Sequence, residues 1–428
     1  MNLIFITLSN ISSIESRGIY IDLMRKFRDE GHQVYVVSPC ERRLHQQTHV
    51  VCVDGVKILK VRTLNIQKTN VVEKGIGTLL MEGQYKRAIK KHLRDVKFDL
   101  ILYSTPPITF PKVIAYLKQQ NPQARTYLLL KDIFPQNAVD LEMMPKSVHG
   151  DWFTIHGWIA RGKLLLYKYF RKKEKKLYAL SDYIGCMSPA NVEYVIRHNP
   201  EIDPSKVEVA PNSLELIHAE IAENTERSKR LTERTYIRRK YQLPENRPIF
   251  IYGGNLGKPQ GIEFLIKCLE VNKDRDDCFF LVVGSGTEYA KLEAWIDEVR
   301  RKKEDVSVCL MQGLPKEDYD MLVRSCDVGL IFLDYRFTIP NYPSRLLSYL
   351  ENKMPVLCAT DVNTDIGRIA EENGYGFWCE SVNPEDFTAL VDKMLAADRK
   401  AMGEKGYEFL YNNYTVEHTY KTIMRHFC

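Results

Sequence analysis

Residues 248–270 read PIFIYGGNLGKPQGIEFLIKCLE. Ile249–Tyr252 is a short apolar run of the kind that makes a buried strand. The run breaks at Gly253-Gly254-Asn255-Leu256-Gly257-Lys258-Pro259-Gln260-Gly261, and Ile262, Leu265, Ile266 and Leu269 then follow at helical spacing. A strand, a glycine-rich turn and a helix together bring backbone N–H groups and a helix N-terminus to a phosphate. The glycines let the main chain approach the anion, and Lys258 adds a mobile positive charge. Neither GxxxxGK[ST] nor GxGxxG is present. The plainer alternative for this stretch is a tight strand–helix connection whose glycines serve turn geometry alone.

The same alternation runs through the chain on both sides. Before this stretch, strands are predicted at Asn2–Leu8, Gln33–Val37, Val56–Val61, Asp99–Tyr103, Arg125–Leu130, Ser181–Met187 and Val207–Ala210, with helical stripes between them. After it, strands are predicted at Cys278–Val283, Ser307–Met311, Val328–Leu333 and Pro355–Ala359. Successive βα units imply parallel sheets, so the expected fold is α/β, with two doubly wound Rossmann-like domains facing a central cleft. The expected division is 1–213 for the first domain, 214–244 for a charged linker, 245–408 for the second domain and 409–428 for a C-terminal helix.

Composition narrows the class. A chain of 428 residues exceeds one ordinary core, and 44% hydrophobic with 27% charged residues describes a globular protein. A net charge of +6 is small for this length and argues against a general nucleic-acid binder. The ten cysteines are scattered, with no CxxC pair, and read as reduced thiols. The opening MNLIFITLSN reads as a first strand rather than a signal peptide, and no apolar run is long enough to span a bilayer. The expected location is cytoplasmic, with any membrane contact peripheral.

Three further stretches carry candidate chemistry. Ser9–Arg17, SNISSIESR, follows the first strand at the end where open α/β sheets bind ligands. It reads either as an ordinary polar connection or as an acceptor-contacting loop with Ser9, Asn10 and Arg17. Lys131-Asp132 follows an apolar strand, and Asp132 reads equally as a base or hydroxyl ligand and as a helix N-cap. Between 154 and 180, Trp158 and Phe170 mix with Arg161, Lys163, Arg171, Lys172 and Lys173, opposed only by Glu174. That pattern fits an interfacial helix drawn to anionic lipid; a packed helix with a solvated basic edge is the alternative, and nucleic-acid binding a weaker rival.

Taken together, GGNLGKPQG at 253–261, LVVGSG at 281–286, MQGLPKEDYDMLVRSCDVGLIFL at 311–333 and YPSRLLSYLENKMPVL at 342–357 resemble the donor half of a GT-B glycosyltransferase of the retaining family-4 type. The first half adds DEGHQVYVVSP at 29–39 and LLLKDIFPQ at 128–136, an order similar to bacterial members that act in surface-polysaccharide synthesis. The resemblance covers nearly the whole chain. It implies a transferase that moves a sugar from a nucleoside-diphosphate-sugar, UDP-sugar by default, to a lipid-linked saccharide on the inner face of the cell membrane. Asp132, Lys258 and Arg345 would be catalytic. Gly253, Gly254, Asn255, Gly284, Ser285, Leu314, Pro343, Ser344, Ser348 and Glu351 would hold the donor. No metal or other cofactor is expected, because fixed cations would stabilise the leaving diphosphate. One departure concerns the family's usual Glu seven residues before the last Pro-Val strand. Here that position is Ser348, with Glu351 a turn on, and the partner Glu is missing as well, Pro340 standing there. Two rivals share the architecture: a UDP-sugar 2-epimerase, and an inactive donor-binding subunit of a polysaccharide assembly complex.

Overall fold

A computed structural model describes residues 1–66, 69, 71–147, 155–216, 233–303 and 305–427. The chain forms two compact units, one of Met1–Glu215 with the C-terminal segment from Thr415, the other of Leu216–Tyr414. Each is a Rossmann-like α/β layer structure.

The second unit is built on β9 (Ile249–Asn255), the centre of a six-stranded sheet. To one side lie β10 (Phe279–Ser285) and β11 (Val308–Gln312); to the other lie β12 (Val328–Phe332), β13 (Val356–Thr360) and β14 (Gly376–Glu380). Every pairing is parallel. Ile249, Phe250, Ile251 and Tyr252 are all fully buried, which is why β9 reads as a continuous apolar run and not an alternating one. The strand order reverses between β9 and β12, so the carboxyl end of β9, where the glycines fall, stands at the topological switch point.

This unit begins earlier than the sequence suggests. Helix α7 (233–240) was expected in the linker, but it packs into the unit through Arg238, which is 1% exposed. The guanidinium donates to the carbonyls of Ser325, Pro244, Glu245 and Arg247 and pairs with Asp327 at 2.6 Å. A run of charges thus conceals a buried anchor. Residues 217–232 of the expected linker lie outside the described residues.

The first unit has eight strands in the order β3-β4-β2-β1-β5-β6-β7-β8. Strands β1 (Asn2–Ile6), β2 (Gln33–Glu41), β4 (Val56–Thr63), β5 (Leu100–Ser104), β6 (Arg125–Leu130), β7 (Tyr183–Cys186) and β8 (Val207–Val209) run parallel. The edge strand β3 (His49–Val53) is antiparallel to β4, a pairing that HVVCV alone does not announce. β14 was likewise unread. The chain returns to this unit at Thr415 and not at 409, because α14 (Arg399–Asn413) is one unbroken helix of the second unit. There α15 (Val416–Met424) packs on α1 (Ile19–Asp29), with Tyr420 edge-on to Phe27 at 5.0 Å and Lys26 paired with Glu417.

Candidate functional site

At the carboxyl end of β9, Gly253 is buried while Gly254 and Asn255 face solvent. Gly254 has φ +126°, open to glycine and strained for other residues. Arg345 opens α11 (Arg345–Glu351), and its guanidinium lies beside this turn: a Cβ on Gly254 would stand 3.5 Å from Nη2. The same guanidinium stacks on the Tyr252 ring at 4.2 Å from the centroid, a cation–π contact that fixes its plane. Nη1 is buried and has no hydrogen-bond partner. A buried donor without an acceptor is uncommon and costly, and here it is a fixed cation turned towards exposed glycine backbone.

The neighbouring turns close around this point by backbone contact. A Cβ on Gly284 would lie 2.0 Å from the Gly254 carbonyl, and one on Gly286 would lie 2.2 Å from that of Leu256. Ser285, exposed, is in register with Asn255 and lies beside Gly313, which brings the Leu314 turn to the same edge. Gly261, at φ +58°, abuts the Leu333–Asp334 backbone and starts α8 (Ile262–Asn272). The structure therefore gathers Gly253, Gly254, Gly284, Ser285 and Arg345 at one edge of the sheet.

Other expected donor residues are placed differently. The Asn255 side chain donates to Gln260 Oε1 at 2.9 Å, and that oxygen also accepts from Gly257 N, so the amide braces the turn. Lys258 is exposed, and its side chain makes no hydrogen bond or ion pair with the described residues, while its carbonyl accepts from Gly261 N at 3.0 Å. Pro343 and Ser344 lead into α11, where Ser344 makes no side-chain cap. At about 100° per residue, Ser348 lies roughly 60° round the helix from Arg345, but Glu351 lies about 120° away. Glu351 is half-buried and already partnered.

Three tyrosines were not legible as site residues. Tyr349 of α11 accepts from Gly253 N at 3.2 Å and donates to the Ile251 carbonyl at 3.1 Å. Tyr319 of α10 (Lys316–Arg324) places its hydroxyl 1.8 Å from where a Gly253 Cβ would be. The Tyr252 hydroxyl donates to the Asn255 carbonyl at 2.9 Å. Gly253 and Gly329, glycines inside strands, were the available signal, since each marks a close approach.

In the first unit, Asp132 follows β6 and its carboxylate accepts from Asn137 Nδ2 at 2.7 Å. It is not a helix N-cap: α4 (Gln136–Asp140) is preceded by Pro135 with no side-chain cap. Burial pushes the carboxyl up to about 6, opposed by the Asn137 hydrogen bond and aided by the Glu174 charge. Lys131 donates to the Ala210 carbonyl at 2.8 Å, and burial brings its ammonium down to about 7. Thr105 Oγ1 accepts from both backbone N–H groups, at 3.0 and 3.3 Å. Asn137 Oδ1 is buried without a partner. The result is a cluster of polar groups with one unused acceptor, Asn137 Oδ1.

The loop at 9–17 is built in, anchored by buried Ile11 and Ile14. Ser9 exchanges bonds with Thr7 and Ser38, Asn10 Oδ1 accepts from Lys60 at 2.6 Å, and Arg17 donates to the Glu215 carbonyl at 3.0 Å. The Asn10 and Arg17 side chains are engaged within the unit, and Ser9 is held through its backbone N–H and carbonyl.

Helix α5 (Ile155–Leu180) corrects part of the expected membrane face. Phe170 is buried against Phe134 at 5.0 Å. Arg171 pairs with buried Glu174 and reaches the His198 carbonyl and Asn199, while Lys173 pairs with Glu82 at 2.5 Å. Arg161 is half-buried and partnered. Trp158, Ile159 and Leu165 remain exposed at 68%, 55% and 69%, alongside exposed Lys163, Lys168 and Lys172. Among the described residues no helix is long and apolar enough to cross a membrane, and no group of His, Cys, Asp and Glu could hold a metal ion.

Residues 233–409 match the model of the family Glycosyl transferases group 1, the segment that contains the whole glycine–arginine site. Over 355 residues the chain is 22% identical to a Pseudomonas aeruginosa protein named "Probable glycosyltransferase WbjE", covering 81% of this chain and 78% of that one. Over 158 residues it is 27% identical to WcaI of Escherichia coli K12, a protein named for glycosyl transfer in colanic acid biosynthesis, covering 36% of each chain. Among solved structures, HepE of Anabaena in complex with UDP-glucose superposes with a TM-score of 0.67 at 12% identity, covering 100% of this chain and 99% of that chain. The last likeness concerns the fold, which is the two-domain GT-B type.

Proposed function

We propose that this chain is a glycosyltransferase that takes a sugar from a nucleoside-diphosphate-sugar, UDP-sugar first among them, and delivers it to a lipid-linked saccharide in surface-polysaccharide synthesis. The observation that carries the reading is Arg345: a cation with a buried, unpartnered Nη1, stacked on Tyr252 beside the exposed Gly254 turn, inside the segment that matches the glycosyl transferase model. Negative charge grows on the diphosphate as the glycosidic bond breaks, and a fixed guanidinium with nearby backbone N–H groups stabilises it without a metal. The Lys258 ammonium has no partner among the described residues and can swing to the same charge.

The similarity to WbjE supports glycosyl transfer, that to WcaI supports the pathway class, and the UDP-glucose complex of HepE supports a uridine nucleotide. In this reading Asp132 and Asn137 meet an acceptor or sugar hydroxyl, and the leaving phosphate takes the acceptor's proton in a same-face, retaining transfer. Trp158, Ile159 and Leu165, with Lys163, Lys168 and Lys172, supply an apolar stripe with a basic border that suits an anionic membrane surface.

The test is transfer itself. Membrane extracts containing lipid-linked saccharides are offered radiolabelled UDP-sugars with wild type and with Arg345→Ala. Label entering the lipid fraction with wild type only supports the reading; wild-type hydrolysis or isomerisation of the donor without transfer contradicts it.

A further inference from the structure

We infer that Tyr319 and Tyr349 are positioning residues that hold the Gly253–Gly254 turn and the Arg345 guanidinium ready for a diphosphate. The inference rests on the nucleotide-sugar reading and deepens it, by assigning the readiness of the site to two phenols that touch no substrate.

The two rings reach the turn from different helices. Tyr349 enters from α11 over Gly329, where a Cβ would lie 2.3 Å from its ring, so only glycine leaves it room. Its hydroxyl then bridges two points of β9, accepting from Gly253 N and donating to the Ile251 carbonyl. That N–H lies beyond Ile251, the last residue of β9 paired with β12, while the pairing with β10 continues to Asn255. Tyr319 comes from α10 and fills the space of the side chain that Gly253 lacks, its hydroxyl 1.8 Å from where that Cβ would be. The path of the turn is thus fixed from beneath by two phenols, one hydrogen-bonded to it and one packed against it.

Arg345 depends on that path. It shares α11 with Tyr349, four residues on and hence on nearly the same helix face. Its guanidinium is held between the Tyr252 ring and Gly254, and Tyr252 in turn pins the Asn255 carbonyl. If the turn moved, the guanidinium would lose one wall of its slot. None of the phenols satisfies Nη1, so the arrangement fixes the cation's position yet leaves its donor free. A ligand that finds donors already aimed loses less free energy to ordering, which is how preorganisation raises affinity.

Binding of inorganic pyrophosphate, UDP and uridine is measured calorimetrically for wild type, Tyr319→Phe, Tyr349→Phe and Arg345→Ala. The phenylalanines keep the packing and remove only the hydroxyls. Arg345→Ala is expected to weaken pyrophosphate and UDP on the order of 10- to 100-fold, the range for a hydrogen bond to a charged group. Each phenylalanine variant is expected to weaken both by about three- to tenfold, leaving uridine binding unchanged. Wild-type affinity for pyrophosphate and UDP in both phenylalanine variants, with loss in Arg345→Ala, overturns the positioning role and leaves the donor site standing. An equal loss of uridine binding overturns it too, since that reports general loosening. Wild type binding neither pyrophosphate nor UDP, GDP, ADP or dTDP overturns the donor reading, a result distinct from the other two.

Discussion

The hydroxyl of Tyr319 stands 1.8 Å from where a Cβ on Gly253 would be. Two adjacent glycines therefore exist for different reasons: Gly253 makes room for a ring, and Gly254 adopts a positive φ. Gly253→Ala must displace the Tyr319 ring, an overpacking cost of about 1–3 kcal/mol. Adding Tyr319→Ala to it should cost less than the sum of the single changes, because both alter one volume. Denaturant unfolding of the four proteins measures this; strict additivity would mean that the two residues do not compete for space.

Asp132 gives the stability a defined pH signature. Its carboxyl binds a proton more tightly when folded, near pH 6, than at its ordinary value of 3.8. The ionised form thus costs stability above pH 6, and the cost disappears as pH falls towards 4. Asp132→Asn keeps the Asn137 hydrogen bond and should be more stable than wild type by about 2 kcal/mol at pH 7.5, allowing for partial solvent access. The gap should close by pH 4. A gap independent of pH would contradict the burial of this carboxyl.

Arg238 holds α7 to the second unit through four carbonyls and Asp327. Arg238→Met strands those acceptors and the carboxylate, and should cost about 3–5 kcal/mol. The unfolding midpoint reports it. A change under 1 kcal/mol would show that 233–243 belongs to a linker after all.

The two faces of α5 should separate experimentally. Replacing Trp158 and Leu165 by Ala should lower co-flotation with vesicles rich in anionic lipid while leaving the melting temperature near wild type. Phe170→Ala should instead destabilise the fold by about 3–5 kcal/mol, the range for a buried aromatic. Unchanged flotation in the Trp158/Leu165 variant would remove the membrane face from the proposal.

The parts of the fold that could be read from sequence are those where local pattern and tertiary role coincide. β9 is apolar throughout because it is central, and its glycines stand out because they end it. Arg345 and Gly254 are legible through resemblance, although their closeness in space is not. Tyr319 and Tyr349 were hidden, since a tyrosine on an amphipathic helix looks like ordinary packing until the glycine opposite is known. Phe170, Arg171 and Lys173 were misread for the converse reason. Two of their partners, Phe134 and Glu82, lie far away in sequence, and helical periodicity carries no information about what a basic face meets. Arg238 shows the same limit: burial of a charge depends on carbonyls that only the folded chain assembles.

The most direct measurement is calorimetric titration of wild type and Arg345→Ala with UDP, GDP, ADP and dTDP, each with and without EDTA. The account predicts that wild type binds one of these nucleotides, UDP first, with an affinity that EDTA does not change and that Arg345→Ala lowers at least tenfold. Binding that vanishes with EDTA, or that survives unchanged in Arg345→Ala, would contradict a donor site built on a fixed guanidinium beside the Gly254 turn.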